Sequence, residues 1–278
     1  MNFRVIHRQG ARLFGLIASI AHACTCVVRG LPLFLCPSPG TPLRVLCVMA
    51  FDFLHLRRSG RLLGQARRKA LATLLDFGAL VNADLDNKGH FAGERKRMRQ
   101  LLDDAGLNAP VGEYLRELTK LERERPVPGG DLMQAQKVIT YRESVVRLSL
   151  GMMAAAAAHC ATGPGEGTQA TFVDAELNLL FRIVMQCQIM DDVLDYREDC
   201  EGGLPTFLTA VTSRGQALEL ASKASSAYAR HTPGQGICLL RAALLVTSGC
   251  AKGVIVLGRW SKWRDQETLP LSGPANTL

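Results

Sequence analysis

Aromatic residues are scarce in this 278-residue chain, at 6%, and no stretch alternates apolar and polar side chains over strand lengths. A β-sandwich or barrel is therefore not expected. There is no dense Lys/Arg block with interleaved aromatics, which argues against a nucleic-acid surface despite a formal net charge of +8. The nine cysteines follow neither a disulfide framework nor zinc-ligand spacing, and Cys24 and Cys26 form only a lone CxC. A reduced, cytoplasmic setting is the expectation. No run reads as a membrane span. The closest, Cys238 to Gly258, carries Arg241 and Lys252, which are costly in lipid, so it reads as a buried core helix. The N-terminus has a basic start, an apolar run from Leu13 to Ala21 and Ala-His-Ala before Cys24, the outline of a signal segment. Arg4, Arg8 and Arg12 on one face give the preferred alternative, an amphipathic first helix.

What the chain does have is alanine and leucine, within 47% hydrophobic and 21% charged residues. Unbranched side chains lose little rotamer freedom in a helix. The excess of positive charge points to an anionic partner: an acidic membrane surface or a phosphorylated small molecule. Gly/Pro punctuation separates helical stretches: "CPSPGTP" at 36–42, a break at "DNKGH", a turn from Pro126 to Gly130, and loops at "ATGPGEGTQ" and "HTPGQG". Long helices are expected over Met133 to Ala158 and Ala175 to Cys200. The expectation is an all-α, single-domain helical bundle. Residues 1–56 form an apolar, basic helical segment, 57–263 the bundle, and 264–278 a flexible tail.

One stretch stands out against the basic background. "MDDVLDYREDCEGG", residues 190–203, gathers five acids in its first ten residues and ends on two glycines. On an ideal helix, Glu198, Asp191, Asp195, Gln188, Asp199 and Asp192 share one arc of about 120°. Asp191, Asp195 and Asp199 make two consecutive like-charged i,i+4 pairs, each unfavourable by a few tenths of a kcal/mol. A solvated face normally mixes signs. A hard cation reverses the sign of that repulsion, since Mg²⁺ takes oxygen ligands from one or two carboxylates plus substrate phosphates.

"QIMDDVLDYREDCEGG" resembles the second aspartate-rich helix of class I isoprenoid synthases, most closely the squalene/phytoene synthases and the bacterial large terpene synthases of the tetraprenyl-curcumene type. Asp191, Asp195, Glu198 and Asp199 match that motif residue for residue, and Gly202 and Gly203 stand where its loop begins. Upstream, "ALVNADLDNKGH" resembles the family's first acidic motif, with Asp86 as its central carboxylate. "YRESVVRLSLGMMAAAA" is similar to the small-residue helix lining the family's cavity. The resemblance spans about residues 57 to 210. It departs from the pattern at the first motif, where Ala83 and His90 occupy positions that usually carry acids. Asn82 and His90, each four residues from Asp86, share its helix face and are expected as weaker ligands or diphosphate donors.

The resemblance implies a class I terpenoid synthase bundle that ionises an allylic prenyl diphosphate and cyclises or rearranges it, releasing diphosphate. Asp86, Asp191, Asp195, Glu198 and Asp199 would hold Mg²⁺. Arg142 would be the principal diphosphate cation, with Lys137 on the same helix and Arg95, Lys96, Arg97 and Arg99 after the first motif as further candidates. Asp86, Asp191, Asp195 and Arg142 carry the catalytic expectation. Leu148 and the run from Gly151 to Ala158 would wall a dry cavity, while Tyr141 and Phe181 read mainly as core. Substrate would arrive from a membrane surface contacted peripherally. Two alternatives stay open: head-to-head prenyl transfer, and a non-catalytic prenyl-lipid-binding helical protein. Product, chain length and oligomeric state are not legible in the sequence.

Overall fold

In a computed structural model, the described residues are 20–21, 24–26, 28, 41–85, 92–162, 175–230 and 238–260. They are overwhelmingly helical and contain no strand beyond one isolated bridge between Gly130 and Val211. Among the described residues of 41–260 the helices are α1 (Thr41–Ser59), α2 (Gln65–Leu85), α3 (Ala92–Asp104), α4 (Asn108–Arg123), α5 (Leu132–Thr162), α6 (Ala175–Leu194), α7 (Tyr196–Glu201), α8 (Arg214–Ala229) and α9 (Cys238–Trp260). The chain is all-α, as its composition and periodicity predict. The boundary expected after residue 56 falls inside α1, which runs on through Arg57 and Arg58 until Gly60 turns the chain with φ 69°. The expected tail lies outside the described residues.

The chain forms two compact units: Met1–Thr119, Arg147–Leu180 and Gly236–Ala242 in one, and Lys120–Val146, Phe181–Gln235 and Ala243–Leu278 in the other. In the first unit, Val48, Phe51 and Leu54 of α1 and Leu71, Leu74 and Phe77 of α2 are buried. Their spacing of three residues keeps them near one side of each helix, as in a packed apolar stripe. Arg44 pairs with Asp76 at 2.9 Å, and the buried Asp52 accepts the Leu63 N–H at 2.7 Å. That bond satisfies a backbone donor where the chain crosses between the two helices.

The second unit contains the acidic segment, and here two expectations need correction. The helix expected from Ala175 to Cys200 is two helices, α6 and α7, separated at Asp195. Backbone bonds continue across the break, from Asp195 N–H to Asp191 C=O at 2.8 Å and from Asp199 N–H to Asp195 C=O at 2.9 Å. Asp195 itself, at φ −99° and ψ 15°, sits in the bridge region, and that bends the axis. The two glycines end α7. Gly203 adopts φ 60°, its N–H bonds Cys200 C=O, and Leu204 N–H bonds Asp199 C=O at 2.9 Å, the paired bonds of a Schellman cap.

The second correction concerns Cys238 to Gly258, which is not a fully buried core helix. Within α9, only 28% of the most apolar window is buried. Leu244, Ser248, Ala251 and Ile255 face inward at helical spacing. Leu245, Val246, Val256 and Leu257 face outward. A helix packed on one side alone buries one stripe, however apolar its other residues are.

Candidate functional site

The five acids do not form one face. Asp191, Asp195 and Glu198 are exposed, whereas Asp192 and Asp199 are buried, at 2% and 7% exposure. The edge of the expected arc therefore turns into the protein. Asp192 is claimed on both oxygens: Arg142 Nη2 donates to Oδ1 at 2.7 Å, and the Phe207 N–H donates to Oδ2 at 2.8 Å. Burial pushes the Asp192 carboxyl above the ordinary carboxylate range, while Arg142 and the Phe207 N–H pull it back. Arg142, expected to reach a substrate diphosphate, is instead held in an ion pair by the acidic helix.

The partner loop explains why an acid belongs there. Residues 204–211 are buried throughout, an unusual place for irregular backbone because its N–H and C=O groups need partners. Asp192 takes the Phe207 N–H. Thr209 Oγ1 accepts the Thr206 N–H at 2.8 Å and donates to the Leu204 C=O. Gly129 N–H bonds Thr209 C=O at 2.7 Å, and Gly130 N–H bonds Ala210 C=O at 3.3 Å. Replacing Thr209 with valine keeps the shape and removes two of these bonds. We expect a loss of about 2 kcal/mol in urea unfolding, from leaving buried backbone groups unpaired. A loss under about 0.5 kcal/mol would mean water satisfies the loop instead.

A further polar knot lies in the core of the second unit. Gln186 Nε2 donates to Ser225 C=O at 2.7 Å and to Ser248 Oγ at 3.0 Å, and Gln186 Oε1 accepts from Ser225 Oγ at 2.7 Å. All three residues are buried. The sequence reading missed this knot; its signal was a glutamine at a core position of an otherwise apolar helix. Phe181 is core, edge-on to Tyr228 at 6.0 Å, and the Tyr228 hydroxyl donates to Glu143 at 2.7 Å. Tyr141 donates to Glu122, and burial raises its phenol well above the usual range. Lys137 is exposed beside Tyr141 in a groove of about 690 Å³ with Glu124 and Met133. Arg142 does not line that groove.

Of the first motif, Asp86 and His90 lie outside the described residues, and Asn82 is exposed near the end of α2. Asp84 pairs with Arg95. These two residues border a groove of about 840 Å³ in the first unit. Phe77, Val81, Leu115 and Leu118 give it an apolar wall, and Arg95, Lys96 and Arg99 give it a basic rim. Arg99 is braced by Asp103 at 3.2 Å and by Asn108. The groove can take a ligand with an apolar chain and an anionic head, since one wall buries hydrocarbon and the rim offers charged donors.

The described residues contain no group of three His, Cys, Asp or Glu side chains poised to hold a metal ion. Mg²⁺ does not require one, because it keeps several waters and takes one or two carboxylates plus phosphate oxygens. Asp191 and Asp195, exposed and one turn apart, fit that smaller demand; Asp192, committed to Arg142 and Phe207, does not. Compared with protein-family models, curated proteins and solved structures, the chain shows no match.

Proposed function

We propose that the chain is a Mg²⁺-dependent class I terpene synthase that ionises an allylic prenyl diphosphate and cyclises or rearranges it, releasing diphosphate. The groove in the first unit is the observation that carries this reading, because its apolar wall and basic rim match an amphiphile with an anionic head. In this reading Arg95, Lys96 and Arg99 bind the diphosphate, with Asn82, Asp86 and His90 contributing from the first motif, and the hydrocarbon lies against Phe77 and Leu118. In the second unit, the exposed Asp191, Asp195 and Glu198 would hold Mg²⁺, a cation that would supply stabilisation of developing negative charge. Arg142 and Asp192 are positioning residues: their ion pair holds α6 in place, so that Asp191 and Asp195 project outward. The protein works in the cytoplasm and meets its lipid substrate at a membrane surface.

The decisive experiment incubates the full chain with short- to long-chain prenyl diphosphates, with and without Mg²⁺, and measures diphosphate release. Metal-dependent release supports the reading; none from any chain length sinks it. The apolar wall of the groove suits a second reading as well, a non-catalytic protein that binds prenyl lipids there. That protein would take up a prenyl chain equally well with and without metal. Head-to-head prenyl transfer would show itself as a product joining two chains.

A further inference from the structure

Helix α9 presents a continuous apolar surface that the reading above does not use. Relative to Gly249, the residues Leu245, Val256, Gly253, Val246, Leu257 and Cys250 fall within an arc of about 140° on a regular helix. Leu245, Val246, Val256 and Leu257 are 60%, 66%, 49% and 68% exposed. The opposite side is built into the second unit. Leu244, Ala251 and Ile255 are buried there, Ser248 bonds Gln186, and the Gly258 C=O accepts Arg214 Nη2 at 2.9 Å. Two cations, Lys252 and Arg259, stand along one flank between the exposed and buried sides, and both are exposed. The helix contains no acidic residue.

This is the pattern of a helix lying in a membrane interface: an apolar face toward the acyl chains, with basic side chains at headgroup level. By length and composition the helix is also apolar enough to cross a bilayer. Its inward hydrogen bonds from Gln186 and Arg214 instead keep it on the protein, with one face free. We propose that the Leu245–Leu257 face of α9 docks the protein in-plane onto an anionic lipid bilayer, with Lys252 and Arg259 binding the acidic headgroups. The charge of the flank selects the occupant, since a neutral apolar partner would not require cations at the rim. This docking stands independently of any catalytic activity.

The test is co-sedimentation of the full chain with phosphatidylcholine vesicles that contain or lack phosphatidylserine. Binding is expected to the anionic vesicles and to weaken in high salt. The Leu245→Asp/Leu257→Asp variant should lose it, with far-UV circular dichroism unchanged because both positions are exposed. The milder Lys252→Gln/Arg259→Gln variant should bind about 25-fold more weakly, from about fivefold per cation near an anionic surface. No binding to anionic vesicles would overturn the proposal, as would binding that neither variant changes. A concentration-dependent dimer that Gly249→Leu abolishes, without vesicle binding, would assign the face to a second copy of the chain.

Discussion

Replacing Asp192 with alanine is expected to destabilise the protein by about 3–5 kcal/mol, the range for removing one partner of a buried ion pair. The carboxylate is 2% exposed and accepts two hydrogen bonds, one from a guanidinium and one from the backbone of a fully buried loop. Removing it leaves the Phe207 N–H unpaired and strips Arg142, whose Nε is already buried without a hydrogen-bond partner. The loss is a large fraction of the roughly 5–15 kcal/mol that holds a domain folded. Asp191→Asn, one residue away and exposed, should change stability by no more than about 0.5 kcal/mol. Urea unfolding of the two variants side by side makes the comparison. A cost below about 1 kcal/mol for Asp192→Ala would show that the ion pair does not organise the loop.

The pair is valuable to the fold only as a pair. Burial raises the Asp192 carboxyl above its ordinary 3.8 despite Arg142 and the Phe207 N–H. A folded-state value above the unfolded one means that this group's contribution to stability is complete below about pH 3.8 and is lost as pH rises through the folded value. Substituting both partners by apolar residues of similar size, Asp192→Leu with Arg142→Met, should therefore recover much of what the single substitution loses.

The second large effect concerns activity. Asp195→Ala is expected to lower Mg²⁺-dependent diphosphate release by about 10²–10³-fold, the scale of removing one group that stabilises transition-state charge. Its side chain is exposed at the bend between α6 and α7, and the backbone bonds across that bend run through main-chain atoms alone. The variant should keep the wild-type urea midpoint, so a lost rate reads on chemistry and not on folding. Release at the wild-type rate from Asp195→Ala would remove the acidic segment from the mechanism.

The Asp-rich segment shows both the reach and the limit of sequence reasoning. Its helical character and its terminal glycines were legible because they depend on local spacing: apolar residues every three or four positions, and a Gly203 free to take positive φ. The facing of the acids was not. On an ideal helix Asp192 lies about 100° from Asp191, at the margin of the arc, where either solvent or core is geometrically open. The bend at Asp195 was equally hidden, because nothing in the local sequence there is a glycine or proline. For α9 the error ran the other way: a long apolar run whose Arg241 and Lys252 argue against a membrane span reads as buried core, while the packed side is only one stripe of Leu244, Ser248, Ala251 and Ile255.

The sequence by itself determined the helical class and most of the punctuation, the break at Asp195 excepted, because periodicity, propensity and capping act within a few residues. Only the tertiary structure decided which polar side chains are structural. Arg142 is 50 residues from Asp192 and Phe207 is 15 away, so no local pattern joins them. A buried loop that needs its N–H groups satisfied takes one acid of the five, and the helix rotation that allows this leaves Asp191 and Asp195 to the solvent.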